Sequence, residues 1–184
     1  MRLLDRYLWA RRIAMAAPYL PIGARRVLDI GCDDGFLLRR LPPGPRALQG
    51  IDPRLAADGG EGLTLGKGCF PQDLGRLGLA GPYDAVFALA VFEHFDEGGL
   101  RQAAGAVPGL LSPGGRLIIT VPHPWVDAIL DVLIALRLLD GTAAEEHHGF
   151  DPRALPSLFP GLTLAAHRRF QLGLNNLYVF EKAP

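Results

Sequence analysis

Three carboxylates and two glycines crowd the stretch Val27–Leu38, VLDIGCDDGFLL. Asp29 lies inside an apolar run, where an ionised group is costly without a partner. Gly31 and Gly35 permit the positive φ, or the close backbone approach, that a turn beside a ligand requires. Asp33 or Asp34 suits the N-cap of a following helix, but capping does not explain Asp29. Another acid, Asp52, ends the next apolar run, LQGID, ahead of Pro53, and Asp73 follows in GCFPQDL.

Two ligand chemistries compete for such a turn. A diphosphate needs G-x-G-x-x-G, so that the glycines let it settle on a helix terminus. Counted from Gly31, the second and third glycine positions hold Asp33 and Phe36. Two carboxylates would repel a diphosphate and compete with it for the positive end of a helix. A ligand that presents an ammonium or a sulfonium has the opposite requirement and tolerates acids nearby.

The elements that must position these residues alternate along the chain. Apolar runs at Arg26–Ile30, Ala47–Ile51, Leu63–Gly66, Tyr83–Leu89 and Gly115–Val121 predict strands. Helical spacing predicts helices over Leu3–Ala17, Asp34–Leu41, Gln72–Gly78, Glu97–Leu111 and Pro124–Leu139, with a short turn near Pro53–Asp58. Strands such as RVLDI and YDAVFAL lack strict alternation, as strands covered on both faces do. Two further strand-like runs lie in LTLAAHRRFQLGLNNLYVFEK, with a break near Gln171–Gly173, and predict a closing antiparallel pair. The expectation is an α/β fold: a doubly wound, mostly parallel seven-stranded sheet with a C-terminal antiparallel pair. Residues 1–184 read as one domain, with an N-terminal helix within 1–20 and a lid or insert over 124–153.

VLDIGCDDG resembles the first motif of the Rossmann-like S-adenosylmethionine-dependent methyltransferases, of the form hhD/E-h-G-x-G-x-G. Asp29, Gly31 and Gly35 match it, Cys32 falls within it, and Asp33 stands where the middle glycine usually falls. YDAVFALAVFEHF and LLSPGGRLIITVP resemble later motifs of the small-molecule branch. The resemblance implies S-adenosyl-L-methionine as cofactor. It implies that Asp52, beside Pro53, accepts from both ribose hydroxyls. A carboxylate has two oxygens spaced for a vicinal diol, and each charge-assisted bond is worth roughly 1.5–3 kcal/mol. It further implies that Asp73 and the Leu74 N–H meet the adenine, with Phe70 covering it or filling core. The backbone at Leu89 and Ala90 would lie by the amino acid moiety.

Methyl transfer from a sulfonium is an in-line displacement, in which alignment does much of the work. An alcohol or phenol acceptor also needs a base. His94, after the fourth strand, is the first catalytic candidate, with Glu93 beside it. His123, Trp125, His147 and His148 are candidates for substrate contact. No metal is expected, because Glu145–His148 are adjacent on one stretch and lack a further ligand. Amino-purine methylases of this fold carry N/D-P-P-Y/F/W after the fourth strand, where this chain has ALAV. A small organic or lipid-like acceptor is therefore expected. Two alternatives stay open: a nicotinamide-dependent oxidoreductase, and a non-catalytic cofactor-binding or partner subunit of the same fold.

Composition narrows the classes further. Nineteen basic and nineteen acidic residues cancel among 184, so there is no global charge to attract nucleic acid or an anionic membrane. Arg2, Arg6, Arg11 and Arg12 fall on one expected helix and read as a solvated face. The greasiest stretch, Val126–Leu139, is too short and too charged to span a bilayer, so no stable membrane insertion is expected. Two cysteines without metal spacing, and no secretory signal in residues 1–20, point to a cytoplasmic protein; a monomer or homodimer is expected.

Overall fold

Seven apolar runs become the strands β1 (Arg26–Ile30), β2 (Ala47–Asp52), β3 (Leu63–Lys67), β4 (Tyr83–Leu89), β5 (Leu111–Pro122), β6 (Leu162–Phe170) and β7 (Asn175–Lys182). The computed structural model describes residues 3–44, 47–55, 59–60, 62–123 and 152–184. In it the strands form one sheet ordered β3-β2-β1-β4-β5-β7-β6. β1 to β5 pair in parallel, whereas β7 runs antiparallel between β5 and β6. The doubly wound fold and its closing antiparallel pair are therefore as expected.

Chain order reverses at the centre. After β1 the chain moves outward to β2 and β3, then returns to β4 on the other side of β1. Strand ends diverge at such a switch point, and ligands bind beyond their carboxyl ends. β1 and β4 are nearly all buried, and neither face reaches water.

One face packs Val27, Ala85, Phe87, Ile118, Leu177 and Val179 against helix α1 (Leu3–Ala16). Trp9, Ile13 and Ala16 recur at i, i+4 and i+7 and form the helix's apolar stripe. The other face packs Leu28, Ile30, Val86, Ala88 and Ile119 against α2 (Glu97–Leu110) and α3 (Leu155–Leu158). The Asp96 carboxylate caps α2 by accepting from the Gly99 N–H at 2.6 Å. The Lys182 ammonium closes its other end, donating to the Pro108 and Leu111 carbonyls at 2.8 Å each.

Three expectations need correction. No α-helix follows β1: the chain turns through Asp33–Leu37 and makes one 3-10 turn at Leu38–Arg40. Asp33 (φ 47°) and Gly35 (φ 78°) are left-handed and interrupt any right-handed helix there. The segment Gln72–Gly78 is likewise a run of turns rather than a helix. β5 begins at Leu111, earlier than expected. Pro113-Gly114-Gly115 is absorbed as an irregularity, with the pairing stepping from Tyr83–Leu111 to Ala85–Arg116. The expected helix Pro124–Leu139 lies outside the described residues.

Asp84 ties the β1 entry to the sheet. Its carboxylate accepts from the Arg25 and Arg26 N–H groups at 2.7 and 3.0 Å and from the Ser112 hydroxyl at 3.4 Å. Burial alone would push this acid up. The hydrogen bonds and the Arg26 charge outweigh that and hold it below its ordinary value.

Candidate functional site

The turn after β1 builds the first wall. The Gly31 and Cys32 N–H groups both donate to the Ile51 carbonyl, at 2.9 and 3.3 Å. This folds the turn back over β2. Gly31 then takes φ 71° with no room for a side chain, because a Cβ would overlap the Val91 side chain. Gly35 is packed against Leu63 and Leu65. The next wall follows β2. The two Asp52 oxygens accept from the Arg54 N–H at 2.7 Å and the Asp33 N–H at 3.0 Å. Each oxygen keeps a further lone pair for a ligand. After β4, Ala90 is left-handed (φ 58°), and its N–H donates to the Thr120 carbonyl at 2.9 Å. A non-glycine residue in that region is strained, and such residues gather at functional sites.

These turns enclose a cavity of about 520 Å3 at the carboxyl ends of the strands. That lies within the roughly 300–1,000 Å3 of small-molecule sites. Gly31 and Asp33, Asp52, Pro53 and Arg54, Gly68–Phe70, Leu89–Val91, and His94 with Phe95 line it, with Trp9 of α1 across the opening. A narrow cleft of about 10 Å3 adjoins it, sharing Trp9, Gly31 and Leu89, and lined also by Arg12, Ile13, Asp29 and Leu37.

The structure thus gathers Gly31, Asp52, Pro53, Leu89, Ala90 and His94 around the larger cavity and Asp29 beside the cleft. Cys32, Gly35, Asp73, Leu74 and His123 do not line either space. Cys32 packs against Gly50 instead. Its thiol is pushed far up, by burial and by the Asp29 and Asp52 charges, and stays protonated. The Asp73 carboxylate turns back on its own loop, accepting from the Cys69 N–H at 2.8 Å and Arg76 Nε at 2.9 Å, which hold it low. Leu74 packs against the core. The His123 N–H donates to the Leu174 carbonyl at 2.8 Å, beside the β6–β7 turn. Trp125, His147 and His148 lie outside the described residues. Among the described residues no group of His, Cys, Asp and Glu is arranged to hold a metal ion.

Sequence reasoning missed Trp9, Arg12, Arg54, Val91 and Phe95. Arg12 departs from the expected solvated basic face, whereas Arg11 is exposed as expected. It follows Trp9 by three positions, roughly 60° around the helix, at the edge of the buried stripe. That spacing is the signal that marks it as inward.

Asp29 is 3% exposed. Burial, and then the Asp52 charge, push its carboxyl well above the ordinary 3.8. Between the unfolded and folded values the native state holds a proton that the unfolded chain lacks. Stability from this group is therefore present at low pH and lost as pH rises through that window. Asp29→Asn is expected to raise the melting temperature at pH 7 by about 2–4 °C and to change it little at pH 4. Thermal unfolding at both pH values checks this; an equal shift at both would contradict it.

A family profile described as a methyltransferase domain matches residues 1–171. The chain belongs to this methyltransferase-domain family. The methyltransferase domain is 29% identical over 135 residues to the ubiquinone biosynthesis O-methyltransferase of Bordetella avium, a match covering 67% of this chain and 55% of that protein. The chain thus spans about half the length of the curated relative it matches. The N-methyltransferase NodS from Bradyrhizobium japonicum, in complex with S-adenosyl-L-homocysteine, superimposes with a TM-score of 0.65 at 16% identity, covering 100% of this chain and 89% of that one. A Haloferax volcanii methyltransferase, described as putative and solved in complex with the Trm112 activator, gives 0.69 at 15% identity, covering 98% and 93%. These likenesses show that the methyltransferase domain has the methyltransferase fold.

Proposed function

We propose that this methyltransferase domain binds S-adenosylmethionine in the larger cavity and transfers its methyl group to a small organic acceptor. One observation carries the reading: the Asp52 carboxylate, with two lone pairs to spare, faces a cavity whose first turn holds Asp33 and no diphosphate glycines. No helix of useful length starts at that turn, so a diphosphate would lack the positive terminus it needs. The residues fit the cofactor. Asp52 would hold the ribose, and Cys69 and Phe70 would border the base. Asp29, Leu89 and Ala90 would face the amino acid end.

When bound, the cofactor supplies an electrophilic methyl group. The chain's own contribution is alignment and exclusion of water. Trp9, Val91 and Phe95 wall the space with apolar surface, and Gly31 lets a ligand lie against the backbone. His94 stands exposed at the rim, where it can take the proton of an acceptor hydroxyl. An oxygen acceptor is supported by the name of the curated relative, an O-methyltransferase. Two free thiols suit a reducing, cytoplasmic setting. Among the described residues no helix is long and apolar enough to cross a membrane.

Transfer of labelled methyl from S-adenosylmethionine to a panel of phenols, catechols, carboxylates and amines tests the reading. Labelled product is expected with a hydroxyl-bearing aromatic acceptor. Normal cofactor binding without transfer to any acceptor would instead indicate a non-catalytic cofactor-binding subunit.

A further inference from the structure

The β6–β7 turn is strained, and the cavity makes no use of it. Gln171 (φ 51°), Leu172 (φ 58°) and Gly173 (φ 86°) are left-handed in succession, and only the last is a glycine. Such a backbone is costly for L-residues and persists only where its surroundings hold it. The Gly173 and Leu174 N–H groups donate to the Phe170 and Gln171 carbonyls at 3.1 Å each. The Gln171 amide oxygen accepts from the Asn175 amide, and its nitrogen donates to the Leu8 carbonyl of α1 at 3.4 Å. The His123 N–H, just past β5, donates to the Leu174 carbonyl at 2.8 Å. The turn is thus tied to α1 and to the end of β5, and what it holds outward is a fully exposed leucine, Leu172.

Tyr7 of α1 is 60% exposed and precedes the Leu8 that Gln171 grips, so the two exposed apolar side chains lie at one corner. Arg11, four residues on from Tyr7, shares its helix face and is also exposed. Arg168 and Arg169 stand near the end of the edge strand β6, just before the turn, and both are exposed. Successive strand residues point to opposite faces, so these two guanidinium groups flank the tip. Among the described residues no acid pairs with any of the three arginines. The corner therefore joins an apolar tip to three uncompensated cations, in a chain whose formal net charge is zero.

Charge and polarity together select the partner. Nucleic acid would use the cations but leave Leu172 in water. A second copy meeting this corner about a two-fold axis would set arginines against arginines. An anionic lipid surface satisfies both: guanidinium groups sit among the headgroup charges while leucine and tyrosine enter the boundary beneath them. We propose that the β6–β7 turn and the exposed face of α1 form a docking surface for an anionic lipid bilayer. The contact is peripheral and reversible, and it does not depend on which ligand the cavity holds. Asn175, the first residue of β7, pairs with Pro122 at the carboxyl end of β5. The docked face is therefore beside the sheet edge that carries the cavity, the side from which an acceptor dissolved in the bilayer would arrive.

The test is co-sedimentation of the full chain with two kinds of vesicle: phosphatidylcholine alone, and an equimolar mixture of phosphatidylglycerol and phosphatidylcholine. Wild type is expected to bind the anionic vesicles at low salt, to leave the neutral ones in suspension, and to be released as salt rises. Each arginine at an anionic surface raises partitioning about fivefold, so Arg168→Gln/Arg169→Gln is expected to lower binding about twenty- to thirtyfold. Leu172→Asp is expected to lower it at least about tenfold. Asp tolerates the left-handed region, so the melting temperature should stay within about 2 °C of wild type. The contrast between the two vesicles is read on wild type and needs no variant. Equal binding to both vesicles, or to neither, would overturn the proposal. So would wild-type affinity in both variants, which would place the lipid contact elsewhere. A dimer in sedimentation velocity that Leu172→Asp converts to monomer would also overturn it, assigning the corner to a second copy.

Discussion

Asp52→Ala is expected to weaken binding of S-adenosylhomocysteine at least about a hundredfold. Two charge-assisted hydrogen bonds to a ribose diol, at roughly 1.5–3 kcal/mol each, set that scale. The substitution also removes the acceptor of the Asp33 and Arg54 N–H groups, at 3.0 and 2.7 Å. Those donors point into a water-accessible cavity, so solvent replaces part of what they lose. Asp52→Asn separates the two contributions. It keeps one acceptor oxygen for the backbone but loses the charge and half of the bidentate geometry. It is expected to fall between wild type and Asp52→Ala in affinity, with a melting temperature close to wild type. Calorimetry and thermal unfolding, run side by side, check both. A change in stability without a change in affinity would mean that Asp52 serves only the turn.

Gly31→Ala is expected to damage fold and site together. At φ 71° an L-residue costs about 1–2 kcal/mol, and the new Cβ would overlap Val91 Cγ2. Crowding of this kind adds about 1–3 kcal/mol. A chain of this size loses roughly 2–4 °C of melting temperature per kcal/mol, so a fall of about 4–20 °C is expected. Gly31 and Val91 both border the larger cavity, so ligand affinity should drop at least about tenfold as well. The double variant Gly31→Ala/Val91→Ala removes the overlap but leaves the left-handed backbone. It is expected to recover part of the stability. Additive losses in the double variant would show that the two residues do not meet, contrary to this geometry.

Much of the fold was legible because its signals are local. RVLDI and YDAVFAL are apolar on both faces and can only be interior strands, and both bounds agree with the structure. The break before Asn175 was readable from Gly173 and the asparagines. The helix expected after β1 was not legible. Apolar spacing over Asp34–Leu41 looks helical, but left-handed Asp33 and Gly35 are set by tertiary contacts with Asp52, Leu63 and Leu65.

The site divided in the same way. Asp29, Gly31 and Asp52 were readable because each stands at the end of a strand, where topology decides its neighbours. The cavity wall at Trp9 and the cleft at Arg12 come from α1, whose docking no local pattern specifies. At GCFPQDL the acid drew attention, yet Asp73 is occupied by Cys69 and Arg76, and Cys69 and Phe70 face the cavity. Spacing alone does not show which residue of a tight turn points inward.

Calorimetric titration of the unmodified chain with S-adenosylhomocysteine and, separately, with NAD tests the whole account most directly. Saturable one-to-one binding of the nucleoside thioether, with no heat from the dinucleotide, is the predicted result. Binding of NAD at this site, or silence toward both ligands, would contradict it.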